Sequence, residues 1–208
     1  MRNMLQSDIM NKSIIYSLLL VFFLMPAVGC YNSKETATRQ RWQELKTATE
    51  NLTSYIALSS QASAPHDPSD AMPEYIQRAK STLDACKAFH EALKSQSSTN
   101  VEPKLNAAIG KLVIASEKLL NELQNGLDAM TVSLQLIIDA KNATTEQEMA
   151  EIASRTTPVF AQAAATQEKG AAALTEIQVI FDELETIRVD FNSKYKIEFL
   201  KIKWINQL

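Results

Sequence analysis

The chain has 208 residues, a formal charge of −3, four glycines, six prolines and two cysteines. That length suits one domain preceded by a targeting segment. Residues 30–208 alone carry 19 Lys and Arg against 23 Asp and Glu, a mildly acidic balance that argues against nucleic acid as a partner, because phosphate neutralisation needs a basic face.

Chemistry-bearing motifs are scarce. There is no CxxC, CxxCH or HExxH, no Cys/His cluster and no Glu-x-x-His pair, so neither a metal site nor a haem attachment is expected. A Gly-rich phosphate loop and a G-x-S-x-G elbow are also missing. The expectation is therefore a protein without cofactor or metal and without enzymatic activity.

The chain opens with Met1–Ile9, which contains Asp8, and a second start signal follows at Met10-Asn11-Lys12-Ser13. Met10 is a compact beginning for an exported chain, and translation is expected to begin there. Ile14–Gly29 is then 16 residues without a charge. A membrane-spanning helix needs about 20 apolar residues, so a removable secretory signal is expected over residues 1–29, rather than an uncleaved anchor.

The run ends Ala27-Val28-Gly29-Cys30. This resembles the lipobox of bacterial lipoprotein precursors, in which small residues precede a cysteine that is acylated and becomes the new N-terminus. The resemblance covers the first 30 residues only. It implies cleavage between Gly29 and Cys30, a lipid on Cys30, and a short tether over residues 30–33. Ala27 stands where that class usually has Leu. Ala27-x-Gly29 also fits an ordinary signal-peptidase site, and both readings cut at the same bond. Tyr31, rather than Asp, follows the cysteine, which in enteric-type members of the class implies the outer membrane before the inner.

From Lys34 the pattern is helical. Trp42, Leu45, Thr49, Leu52, Ile56 and Ser59 recur at steps of three and four, predicting a helix over 34–62. "SAPHDPSD" (63–70) reads as a loop. Tyr75, Ala79, Thr82, Cys86, Phe89 and Leu93 form a coiled-coil-like stripe in a helix over 71–97. A second break follows, in which Thr99-x-x-Glu102 has the form of a capping box before Pro103. The third helix is predicted over 103–141, with Asn142 ending it in a left-handed conformation. Thr145-x-x-Glu148 is a second capping box, and Pro158 divides the last segment into pieces over 145–156 and 158–195.

At about 1.5 Å per residue the first two helices are about 42 Å long and the last two about 58 Å. The expected fold is all-α: an elongated antiparallel, up-down bundle of about four helices over residues 34–208, the last kinked at Pro158. The Ala-rich stretch Ala161–Ala173 is expected to let neighbouring helices approach closely.

The end of the chain, "KYKIEFLKIKWINQL", places Lys194, Lys196, Lys201 and Lys203 among apolar residues that include Phe199, Ile202 and Trp204. The first expectation is that the last helix continues, burying Phe199 and Ile202. A membrane or partner contact through these lysines and Trp204 is the functional alternative, and period-two alternation leaves a terminal strand open.

His66 and His90 read as surface or internally satisfied residues, and Cys86 as a buried small hydrophobe. Ser193-x-x-Lys196 has the S-x-x-K form of penicillin-interacting enzymes without the companion S-D-N and K-T-G. The sequons at Asn51 and Asn142 are incidental in a bacterial export context.

Together these readings predict a lipid-anchored protein of the bacterial cell envelope, held to the membrane through Cys30. It is expected to act non-enzymatically on an unidentified envelope protein. Small helical lipoproteins of that general class include secretion-system pilotins, exclusion factors, immunity proteins and scaffolds. The alternative is a small-molecule binder or enzyme with a cavity inside the bundle, marked by seam residues such as Thr82 and Ser116.

Overall fold

The computed structural model describes residues 33–57, 68–95 and 100–204. The signal segment, Gly29, Cys30, His66 and Thr99 lie outside the described residues. Four helices make up the fold: α1 over 33–57, α2 Pro68–Lys94, α3 Pro103–Asn142 and α4 Glu146–Tyr195. No strand occurs among the described residues. The protein is an all-α bundle.

The apolar stripes bury one another. Trp42, Leu45 and Leu52 of α1 meet Cys86, Phe89 and Leu93 of α2, Leu105, Ile109 and Leu112 of α3, and Ile177, Phe181, Leu184 and Phe191 of α4 in one core. Thr49, on the same α1 stripe, is fully buried and its hydroxyl donates to the Leu45 carbonyl at 2.8 Å. Isolated helices are marginal in water, so this mutual burial is what stabilises them.

α4 returns along α3, and the charges record the register. Lys104, Lys111 and Lys118 of α3 pair with Asp190, Glu183 and Glu176 of α4 at 2.9, 2.7 and 2.7 Å. The steps are seven residues on each helix, in opposite directions, as at the flanking positions of a coiled coil. Farther along, a side chain on Gly126 would meet Thr166 at 3.5 Å, and Arg155 reaches Asp139 at 3.6 Å. All these pairs are largely solvent-exposed, so each contributes at most about 1 kcal/mol and mainly selects the pairing.

Several expected boundaries move. α2 starts at Pro68, inside the expected loop, because proline is tolerated in a first turn. Glu102 is itself the residue before α3 and makes no side-chain cap; Thr99, the other half of the expected capping box, lies outside the described residues. Asn142 stays helical, and the chain leaves α3 at an extended Ala143. The Thr145 capping box is present in both halves: Thr145 Oγ1 accepts from the Glu148 amide, and Glu148 accepts from the Thr145 amide at 3.0 Å.

Pro158 does not divide the last segment. α4 is one helix of 50 residues with Pro158 inside it. A proline removes one backbone hydrogen bond, whereas the flanking turns each keep theirs, and the chain stays helical on both sides. Most of the Ala-rich stretch is exposed, with Ala173 its buried member.

Beyond Tyr195 the helix does not continue. Lys196 adopts a left-handed conformation (φ 56°, ψ 31°) and its amide bonds back to the Asn192 carbonyl at 3.1 Å, closing the helix. Residues 197–204 then turn back over the bundle without forming helix or strand. Phe199 and Ile202 are buried as expected, but in this returning segment rather than in a prolonged helix.

Candidate interaction surfaces

The two ends of the bundle differ in chemistry. At the end where α1 begins, Glu102 gathers polar groups from three segments. Its carboxylate accepts from Tyr195 Oη at 2.6 Å and Lys194 Nζ at 2.5 Å, and Lys34 Nζ lies 3.4 Å away. The Glu102 amide donates to Thr38 Oγ1 at 3.1 Å, and that hydroxyl donates to the Lys34 carbonyl. Burial pushes the Glu102 carboxyl up, but the hydrogen bonds from Lys194 and Tyr195 and the charges of Lys194 and Lys34 outweigh it, holding it below the ordinary range. This clasp ties α1, the start of α3 and the end of α4 together, and its donors and acceptors are matched internally.

The returning tail is fixed nearby. The Phe199 amide donates to Asn192 Oδ1 at 2.7 Å, and the Phe199 and Leu200 carbonyls accept from Arg188 (3.2 Å) and Trp42 Nε1 (2.8 Å). Arg188 is held in place by paired hydrogen bonds to Glu185, which draw that carboxyl below its ordinary range. Phe199 meets Trp42 edge-on, with centroids 5.8 Å apart, and Trp204 stacks on Phe181 at 4.8 Å. Trp204 is only 2% exposed, so it is a core residue here and presents no surface to a membrane or partner. Lys196, Lys201 and Lys203 remain exposed, while Lys194 is engaged by Glu102.

The residues flagged for chemistry close on internal partners. His90 is buried with Nδ1 2.8 Å from Ser116 Oγ, and Ser116 donates its one proton to the Val113 carbonyl at 2.9 Å. His90 Nδ1 is therefore the donor of that pair. Thr82 donates to the Arg78 carbonyl. Each seam hydroxyl thus donates to a carbonyl of its own helix. Arg41 is also buried; Nη2 caps the end of α2 at the Leu93 carbonyl, 2.5 Å away. Burial raises the Cys86 thiol to about 11, which keeps it protonated and unreactive. Among the described residues no group of three His, Cys, Asp or Glu is placed to hold a metal ion, and no helix is long and apolar enough to cross a membrane.

The opposite end carries an open apolar groove of about 270 Å³. Met72 of α2 forms one wall, Leu136 and Ile137 of α3 the floor, and Ile152, Val159 and Phe160 of α4 the other wall. Its two hydroxyls are occupied, Ser133 by the Ala129 carbonyl and Thr156 by the Ile152 carbonyl. Phe160 is 65% exposed. The groove has a simple origin. Tyr55, near the last described turn of α1, sits beside Ala85 of α2, so the first turns of α2 extend past the described part of α1. There α2 and α4 lie on α3 with no fourth helix among the described residues. From the sequence, Ile137 is an apolar residue of the third helix, and none of the groove's residues stands out as a site residue.

The chain matches no known family model, and no curated protein or solved structure matches it.

Proposed function

We propose that this is a lipid-anchored bundle of the bacterial envelope, most consistent with the outer membrane, which acts by protein–protein contact rather than catalysis. The observation that carries this reading is the polarity of the bundle. The chain enters α1 at the end held by the Glu102 clasp, three residues after Cys30. The apolar groove lies at the far end of α3, a helix of 40 residues and hence about 60 Å. An anchor at Cys30 would thus hold one end at the membrane and offer the other to a partner. Exposed Lys196 lies at the anchored end, where it suits an anionic surface.

Internal closure of His90, Ser116 and Thr82 supports a non-enzymatic role over a catalytic cavity. The test is a photo-cross-linking residue at Phe160, compared in living cells with one at exposed Val189 near the anchored end. A discrete protein adduct at Phe160 and none at Val189 is expected. Equal trapping at both positions, or none at Phe160, would count against the reading.

A further inference from the structure

We infer that the distal groove takes an amphipathic helix with basic flanks, supplied by a partner protein. This rests on the contact function proposed above and specifies the partner. The groove is bounded by α2 and α4 over α3, in the place a fourth helix of the bundle would fill. Its exposed lining is almost wholly apolar, and both hydroxyls already donate within their own helices. An occupant is therefore held by an apolar stripe rather than by directed hydrogen bonds, the mode by which helices dock in grooves.

Charge narrows the occupant further. A shallow basin shares Ile152 with the groove and is lined by Asp139, Glu148 and Glu151 against the single cation Arg155. Across residues 113–181 there are nine Asp and Glu against four Lys and Arg. A second copy docking symmetrically would bring this acidic surface against itself, whereas Lys or Arg flanking the stripe would be attracted. Apolar-inward, basic-outward packing also occurs within the bundle, although not in helical form. Its own tail fills the opposite end with Phe199, Ile202 and Trp204 inward and Lys201 and Lys203 outward.

The probe is a pair of labelled peptides of about 15 residues sharing one Leu stripe at helical spacing, flanked by Lys in one and by Glu in the other. The acylated chain is held in neutral phosphatidylcholine nanodiscs, with empty nanodiscs as blank. Binding of the Lys-flanked peptide is expected to be salt-sensitive and to weaken about tenfold or more on Phe160→Lys, with no change on Val189→Lys. The Glu-flanked peptide is expected to bind at least about tenfold more weakly. Phe160 is exposed, so its replacement leaves the core packed; unchanged thermal melting checks this. Equal affinity for the two peptides overturns the proposal. So does a Phe160→Cys variant that forms a disulfide dimer, which assigns the groove to a second copy. An intramolecular cross-link from Phe160 to residues 58–67 overturns it as well. If the Lys-flanked peptide fails while photo-cross-linking at Phe160 still traps a protein in cells, the contact function stands and only the basic helix falls.

Discussion

Gly110 and Glu102 are two residues whose roles can be separated from any partner. Gly110 lies within α3 on the solvent side, and a Cβ built there meets nothing within 4 Å. Glycine in a helix interior is destabilising by about 0.5–1 kcal/mol relative to alanine. Gly110→Ala is therefore expected to raise unfolding free energy by about that amount in chemical denaturation. A loss of stability would mean that α3 is packed on this side. Glu102 makes the complementary prediction. Its carboxyl lies lower in the folded chain than in the unfolded one, so its contribution is complete above about pH 4.3 and is lost as pH falls through the lower folded value. The stability gap between wild type and Glu102→Gln should be constant near neutrality and shrink on acidification below about pH 4. A gap that widens there would contradict the clasp.

At the scale of elements, the returning tail is the feature most open to test. Trp204 packs between Phe181 and Phe89, while Lys201 and Lys203 face water. Trp204→Ala should destabilise by about 3–5 kcal/mol, the range for removing a large buried aromatic, whereas Lys201→Ala and Lys203→Ala should change little. Thermal melting with denaturant titration distinguishes these outcomes; equal, small effects would return the tail to a surface role. The helices themselves were largely legible. Trp42, Leu45, Thr49 and Leu52 follow a 3.6-residue period that sequence exposes directly, and all four are buried. The second stripe was less complete: Ile76, Leu83 and His90, at seven-residue steps, are buried beside it. Tail direction was not legible, because it depends on the space left where α2 ends, a tertiary fact. The division at Pro158 failed because one missing amide bond is a local loss set against a long helix packed on α3. The seven-residue spacing of Lys104, Lys111 and Lys118 against Glu176, Glu183 and Asp190 did carry the α3–α4 register in plain sequence.

For the whole molecule, the groove lies at the end of the bundle opposite the anchor proposed at Cys30. The segments are of unequal length, about 42 Å against about 58 Å as read from the sequence, and among the described residues one end holds fewer helices than the other. From the sequence those lengths point only to antiparallel pairing, and the lining of the apolar end emerges only once α2, α3 and α4 are assembled. The opposite end is where the described chain begins, at residue 33, so the anchor proposed at Cys30 would decide which end meets the membrane. The most direct measurement is therefore the mass of the mature N-terminal peptide from protein isolated with its own membrane. A lipid-anchored bundle gives a peptide that begins at Cys30 and carries diacylglyceryl on its sulfur. A peptide spanning the intact Gly29–Cys30 bond, or an N-terminal Cys30 without lipid, would contradict it.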